Sequence, residues 1–489
     1  MAAVAVAEQA ASGSIAGEPH VLVVPYPAQG HMQPLLHLSS LLAARGLRLT
    51  VAATPTTAHL LAPLLAAHPS SVRPLTFPSA SAGHDTSGPN SVGADFHAHA
   101  AALRAPLGEW LRSRARLDSG DGEVTGLQGR VVAVISDFFC GWTQPLAAEA
   151  GVPRLVFAPS GLLATAATHS LFRRMPRPPP PPEGDEGRRR GYAVSFPDLP
   201  GAPAFPWPQI SRMYRSYAEA GAGEHAEAIK DNFLWNLESA AFVCNTCHPL
   251  EGKYLDAQPL KDLAGKRVWS VGPVAPPPAD DPAGATDDVT TWLDAFPDAS
   301  VAYVSFGTMM VPPAAHAAAL ASALERSGTP FVWAVAAETA LPDGFEARAA
   351  AAAGTGLVLR RWAPQVAALR HRATGCFVTH CGWNSVMEAC AAGVPMLAWP
   401  MAADQFFNAR LVVEEARVGV AASWGGFGGV PDVEDLVRAL DEVVGEGGAG
   451  VRARAKELAL RVAEVVGEGG SARRELDGLV QKLRELGAP

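Results

Sequence analysis

Twice along this chain, short apolar segments alternate with longer amphipathic ones, and a proline-rich stretch separates the two series. The first series begins at 20–26, HVLVVPY, an almost unbroken apolar run suited to a strand buried on both faces. A turn is expected at 27–31. A helix follows at 33–45, with Pro34 in its first turn, an apolar face of Leu35, Leu38, Leu41 and Leu42, and Gly46 closing it. Further strands are predicted at 47–53, 72–77, 130–136 and 153–158. Helices are predicted at 56–67, 94–116 and from 142 onward, with a polar loop at 79–92. Such alternation implies a parallel sheet, because joining parallel strands needs a crossover and the helices supply it.

The pattern then loosens. Residues 175–190 hold five consecutive prolines, an acidic run and three arginines, and read as a low-complexity surface insert. The stretch 196–207 is rich in proline and aromatics, and either lines an apolar pocket or packs as a loop. Helical pattern returns at 218–237, and strands at 242–245 and 268–271 complete the first series. Residues 274–288 are rich in Pro, Ala and Asp and form the best linker. Beyond it, strands are predicted at 301–305, 329–334, 356–360, 376–379 and 395–399, with a helix at 314–327 and a largely helical tail over 432–486. The expected architecture is α/β. A tail at 1–18 precedes a doubly wound domain at 19–273, the linker 274–288, a second doubly wound domain at 289–470 and a terminal helix at 471–489. Ligands of such sheets bind beyond the carboxyl ends of the strands, so two facing domains would share one cleft.

Composition narrows the partners. Apolar residues at 48% and charged residues at 18% indicate a globular chain, and a formal charge of −9 argues against nucleic acid or an anionic membrane. Six scattered cysteines do not make a disulfide scaffold and fit a reducing compartment. Cys244 and Cys247 are spaced C-x-x-C but lack a second pair, which disfavours zinc. The N-terminus has no basic leader region, and no apolar run reaches the roughly 18 residues of a membrane span. A cytoplasmic, soluble protein is expected.

The chemistry concentrates at 362–405, WAPQVAALRHRATGCFVTHCGWNSVMEACAAGVPMLAWPMAADQ. At Thr379–Ser385 a buried strand turns into a helix through Gly382. The free N–H groups and positive dipole of a helix start suit a diphosphate, and His380, Asn384 and Ser385 add donors there. Ser385 and Glu388 equally have capping-box spacing. Glu388 alternatively reaches ribose hydroxyls. Trp362 is either core or a face on which a base stacks. Asp404 and Gln405 either grip vicinal hydroxyls or cap a helix.

Taken in order, W-A-P-Q, H-C-G-W-N-S, E, G-V-P, W-P and D-Q resemble the signature box of plant family-1 UDP-glycosyltransferases. PYPAQGHMQP at 25–34, SDFF at 136–139, FVCNT at 242–246 and VSFGT at 304–308 extend the resemblance along the chain. The wording SDFFCGWTQPLA and VFAPSG is most similar to a subgroup that glycosylates flavonoids and phenolic acids. The resemblance implies a GT-B fold, two Rossmann-like domains facing across a cleft, with the C-terminal helix crossing back onto the first domain. It implies that Trp362 stacks on uracil, the Ala363 backbone pairs with its edge, Gln365 lies near the ribose and Glu388 binds it. His380, Asn384 and Ser385, with Gly382 at the turn and Ser305 or Thr308 from the preceding loop, would hold the diphosphate. The Trp383 backbone, Asp404 and Gln405 would hold the sugar, and a final Gln favours glucose.

His31 follows the first strand and Asp137 follows the strand at 130–136, so both belong at the carboxyl edge of one sheet. From the residues alone, His31 is equally a helix-start polar residue and Asp137 a helix cap. The resemblance makes His31 the general base and Asp137 its partner, in an inverting transfer from UDP-glucose to a hydroxyl of a small phenolic acceptor such as a flavonol. Another UDP-sugar, such as rhamnose or xylose, or a hydroxybenzoic acid acceptor is the alternative. No cofactor or metal is expected, and the protein is expected to be a monomer. Phe139, Trp142, Ser160, Phe205 and Trp207 are candidate acceptor-lining residues. Rival readings fare less well. A dehydrogenase lacks G-x-G-x-x-G after either first strand, the occurrence at Gly445–Gly450 lying inside the helical tail. A serine hydrolase lacks a G-x-S-x-G elbow. A non-catalytic UDP-sugar sensor would have no use for both His31 and Asp137.

Overall fold

The computed structural model describes residues 18–77, 91–115, 129–179, 191–220, 223–274, 285–308, 310–351, 355–360 and 362–488. The expected N-terminal tail, the polar loop after residue 77, most of the Pro- and Arg-rich insert and most of the linker therefore lie outside the described residues.

Two parallel sheets organise the chain. The first contains β1 (His20–Val24), β2 (Arg48–Ala53), β3 (Val72–Thr76), β4 (Val131–Asp137), β5 (Arg154–Ala158), β8 (Ala241–Cys244) and β9 (Arg267–Ser270), in the order β3-β2-β1-β4-β5-β8-β9. The second contains β10 (Val301–Ser305), β11 (Phe331–Ala334), β12 (Gly356–Leu359), β13 (Thr374–Thr379), β14 (Met396–Ala398) and β15 (Gly419–Ala421), in the order β12-β11-β10-β13-β14-β15. Each sheet is laid outward from its first strand and then resumes on that strand's other side. The order reverses between β1 and β4, where Val24 pairs with Ser136, and between β10 and β13, where Ser305 pairs with Thr379. At such a reversal the crossovers leave on opposite faces and a crevice opens at the strand ends.

The strands formed where apolar runs were read, with ends displaced by a residue or two. Among the differences from expectation, three bear on the site and its surroundings. The first helix is Gln29–Ala43, so its start precedes His31. Strand β15, GVA, is too short, and its glycine carries too little side chain, to register as an apolar run. The stretch 196–207 belongs to packing: β6 (Ala193–Ser195) and β7 (Ala204–Pro206) form a hairpin that buries Phe196 and Phe205. Phe205 lies 4.4 Å from the Phe407 ring, and the Arg410 guanidinium sits 4.3 Å over its face. The hairpin thereby links the two halves of the chain.

The C-terminal helix Ser471–Gly487 packs on the first sheet, burying Leu476, Leu479, Val480 and Leu483 with Val132 of β4 and Val271 just beyond β9. Arg267 holds Glu475 through both carboxylate oxygens at 2.8 and 2.9 Å, and Arg45 holds Asp477 at 2.7 Å. Gly478 permits this approach, because a Cβ there would lie 2.9 Å from the Trp269 ring. All six cysteines are buried free thiols, and burial pushes the Cys247 thiol up to about 12. No helix among the described residues is long and apolar enough to cross a membrane.

Burial also fixes an acid response. Desolvation lowers His20, His99, His169 and His380 to about 4 from the ordinary 6.5. Between those values the unfolded chain binds more protons than the folded one, so stability falls as pH falls. Buried Glu251 and Glu388 are raised by desolvation and oppose the trend, but they are fewer. Thermal melts from pH 7 down to pH 5 should show a falling Tm; a Tm that rises over this window contradicts the assignment.

Candidate active site

Ala28 is extended, and its carbonyl accepts from the N–H groups of His31 and Met32 at 2.9 and 2.8 Å. His31 is thus the third residue of a helix rather than part of the turn before it, which gives its ring a fixed origin. Its Nδ1 lies 3.1 Å from both carboxylate oxygens of Asp137, the last residue of β4. The Asp137 side chain is fully buried, whereas the His31 side chain keeps 20% exposure. A carboxylate only accepts, so this contact places the imidazole proton on Nδ1 and leaves the Nε2 lone pair available. Asp137 also accepts from the Phe139 N–H at 2.8 Å, so the cap reading and the partner reading hold together. Phe139 stacks on the His31 ring at 4.8 Å, and Tyr26 meets its edge at 5.4 Å.

At the second reversal, Thr379 ends β13 and the helix Trp383–Ala392 begins after Gly382. No side chain caps this helix. The capping-box reading is therefore corrected: Ser385 lies within the helix, and Glu388 instead accepts from Gln365 Nε2 at 2.7 Å. The same amide nitrogen lies 3.4 Å from Ser385 Oγ. The uncapped first-turn N–H groups remain open to an anion. Cys381 takes a left-handed conformation at φ 62°, held by its N–H on Thr379 Oγ1 at 3.2 Å and by Asn408 Nδ2 on its carbonyl at 3.0 Å. His380 fits between two glycines. A Cβ at Gly307 would lie 2.9 Å from its ring, and one at Gly382 would lie 2.5 Å from its Nε2. Burial keeps His380 neutral near pH 7, so it presents a dipole, not a cation, at this turn.

Around this helix start, Trp362 is 65% exposed, which removes the core reading and leaves a flat apolar face open. Ala363 is partly buried beside it, and its carbonyl accepts from the Gln365 N–H at 2.8 Å. Ser305 Oγ accepts from the Gly307 N–H at 3.3 Å, and Thr308 is exposed next to it. Asp404 precedes the helix Gln405–Arg410 without capping it through its side chain. Its Oδ2 accepts instead from Ser160 Oγ at 2.9 Å and Asn408 Nδ2 at 3.0 Å. Gln405 Oε1 accepts from the N–H groups of Met401 and Ala402, both at 2.9 Å, which turns its Nε2 into the group free for a ligand.

The two reversals meet across the cleft. Asn384 Nδ2 donates to the Gly30 carbonyl at 3.0 Å, one residue from His31. The Trp383 indole N–H donates to the Asn245 carbonyl at 2.6 Å, and its ring lies against Gly161, where a Cβ would come within 2.7 Å. Ser160 reaches Asp404, so it belongs with the 404–405 pair rather than with Phe139. Trp142 is buried, edge-on to His99 at 6.1 Å. Trp207 is buried in the hairpin region, its indole N–H on Glu219 at 2.8 Å. Phe205 and Trp207 thus serve packing. Gly30, Asn245 and Asn408 were not singled out in the sequence. Only Asn408 carried a signal there, lying four residues after Asp404 and so on the same helix face.

The family described as "UDP-glucoronosyl and UDP-glucosyl transferase" matches residues 279–447, and "Glycosyltransferase, N-terminal domain" matches residues 18–143. The flavonol 3-O-glucosyltransferase UGT89B1 of Arabidopsis thaliana is 40% identical over 96% of this chain and 97% of its own. The UDP-glycosyltransferase 89B2 of Stevia rebaudiana is likewise 40% identical, over 95% of this chain and 97% of its own. The chain belongs to the plant family-1 UDP-glycosyltransferases. Among solved structures, Phytolacca americana UGT2 with UDP-2fluoro-glucose and pterostilbene superposes with a TM-score of 0.78 at 25% identity, covering 95% of this chain and 99% of that one. Arabidopsis thaliana UGT89C1 with UDP-L-rhamnose superposes at 0.73 and 30% identity, covering 96% and 99%. The paired parallel sheets are those of the GT-B fold.

In this UDP-glycosyltransferase the Trp383 N–H is a cross-cleft tie. Trp383→Phe removes the indole N–H, strands the Asn245 carbonyl and gives up part of the ring contact with Gly161, at a cost of at least about 1–2 kcal/mol. Scanning calorimetry should show a lower Tm; an unchanged Tm would mean the tie contributes nothing to closure.

Proposed function

We propose that this glycosyltransferase moves glucose from UDP-glucose to a hydroxyl of a small phenolic acceptor, with inversion to a β-O-glucoside. The observation that carries the reading is the His31–Asp137 contact at 3.1 Å, opposite an uncapped helix start that Asn384 ties back to Gly30. His31 Nε2 takes the proton of the acceptor hydroxyl. The acceptor oxygen attacks the anomeric carbon from the face opposite the diphosphate, the bond from that carbon to the phosphate oxygen breaks, and UDP departs. Asp137 holds the tautomer and balances the imidazolium that forms. Helix N–H groups at 383–385 meet the leaving charge. Trp362 carries the base, Glu388 the ribose, and Asp404 with Gln405 Nε2 the sugar. Phenols suit this base, since their pKa of about 10 lies within reach of an imidazole. Phe139, stacked on His31, supplies an aromatic wall for them. Flavonol acceptors are favoured by the 40% identical relative named for flavonol glucosylation. UDP-rhamnose is the second donor reading, favoured by the UGT89C1 complex.

UDP release measured with UDP-glucose and a panel of flavonols and hydroxybenzoic acids tests the assignment. His31→Ala should lower kcat by at least about 100-fold while UDP still binds. Activity within a few-fold of wild type would reject His31 as the base. Turnover with UDP-rhamnose alone would replace the donor. Trp362→Ala should weaken UDP binding about 5–150-fold, the equivalent of about 1–3 kcal/mol of stacking, without changing Tm, because the ring is already exposed. Titration calorimetry that finds unchanged affinity rejects the stacking role.

A further inference from the structure

Arg154 opens β5 and is 1% exposed, yet among the described residues it forms no ion pair. Its side chain runs beneath the end of β4. Nε donates to Ser136 Oγ at 2.7 Å, Nη1 to Asn236 Oδ1 at 2.9 Å and Ser239 Oγ at 2.8 Å, and Nη2 to the Asp137 carbonyl at 3.2 Å. Every one of these acceptors is neutral. The turn after Asp137 is gripped by the same group of side chains. Asn232 Nδ2 and Asn236 Nδ2 both donate to the Phe138 carbonyl at 2.7 Å, and Asn232 Oδ1 accepts from the Gly141 N–H at 2.5 Å. Ser136, Asn232, Asn236 and Ser239 are all fully buried.

A buried cation satisfied only by neutral acceptors still lacks a counterion. The titratable groups that face it come from three directions. Asp137 and Cys140 lie on the strand end and its turn, and burial holds the Cys140 thiol well above its ordinary value and so neutral. From the helix Leu162–Arg174, His169 Nε2 meets Asn236 Nδ2 at 3.1 Å, and burial keeps it neutral. From the helix Gln29–Ala43 comes His31, bonded to the Asp137 carboxylate. His99 and Tyr26 surround the opposite face of the pair; burial makes His99 neutral. Burial lowers Arg154 only to about 9, which leaves it charged at neutral pH. The Asp137 carboxylate is the anion that remains.

We propose that Arg154 is a positioning residue for the His31–Asp137 pair, fixing the strand end that carries Asp137 and supplying a buried positive charge close to this carboxylate. The inference rests on the reading of His31 as the base. It makes the base a three-part device of a cation held to the Asp137 carbonyl, an anion and an imidazole held to its carboxylate, with the cation opposing a further positive charge on the other two. Removing the cation lets the pair hold its proton more tightly, so the acid limb of kcat/KM moves to higher pH.

The test is the pH profile of kcat/KM for the full chain with UDP-glucose and a phenolic acceptor that the wild type turns over. Arg154→Met should lose about tenfold or more in kcat/KM at pH 7 and shift the acid limb up by about half a unit or more. Arg154→Lys keeps the charge and should keep the limb, whatever it loses in rate. Asn236→Asp places an anion against Nη1, while Asn232 still holds the Phe138 carbonyl, and should shift the limb upward with the guanidinium in place. A limb unmoved in both Arg154→Met and Asn236→Asp overturns the proposal and reduces Arg154 to packing. If Arg154→Met does not fold, the limb of Asn236→Asp decides alone. His31→Ala, run in parallel, separates the two claims. Full turnover there removes the base assignment and this inference with it; lost turnover with unmoved limbs removes this inference only.

Discussion

In a parallel sheet every strand ends on the same edge, and only a reversal of strand order opens that edge to a ligand. Both sheets here reverse beside their first strand, β1 against β4 and β10 against β13. What the site contains follows from that. His31, in the first turn of the helix after β1, and Asp137, ending β4, become neighbours although 106 positions separate them, and the loop after β10 comes to lie beside the helix start after β13. Without the reversals, His31 and Asp137 would sit on an edge closed by crossing helices.

The two edges are brought to face each other by contacts of different kinds. Apolar packing is one: Phe205 of the hairpin against Phe407, and the terminal helix laid on the first sheet after serving as the last element of the chain. Directed hydrogen bonds are the other, from Trp383 to Asn245, Asn384 to Gly30 and Ser160 to Asp404. The directed ones sit at the cleft itself. They are made by residues at the two strand-order reversals, so the two halves share a single geometry there instead of meeting by chance.

Polar groups inside the molecule are arranged to be held, not merely tolerated. Glu251 is fully buried and accepts from the N–H groups of Leu162 and Leu163 at 2.6 and 2.8 Å and from Thr246 Oγ1 at 2.5 Å. It thereby caps the helix that follows the Ser160 loop. Asn232, Asn236 and Arg154 do the same for the turn after Asp137. Each interaction satisfies backbone groups that burial would otherwise leave unpaired. Each also fixes a loop at the carboxyl edge, where a catalytic group needs a stable origin.

Local sequence carried the strand and helix periodicities, the division into two series, and the positions of His31 and Asp137 just beyond apolar runs. It also carried the ordered motifs of 362–405, because strand ends and helix starts are written in neighbouring residues. Single residues were ambiguous wherever a partner lay far along the chain. Ser385 and Glu388 had the spacing of a cap, and a long-range bond from Gln365 made Glu388 something else. Trp362 read equally as core, and the fold leaves it 65% exposed. Ser160, Phe205 and Trp207 shared an aromatic and loop-like setting, yet tertiary packing sent Ser160 to Asp404 and buried the other two. Strand β15 escaped notice because three residues carry no period. Sequence alone determined which residues stand at strand ends, since hydrophobic period is local. Tertiary structure decided which of those ends meet, since strand order and domain closure depend on contacts between residues hundreds of positions apart.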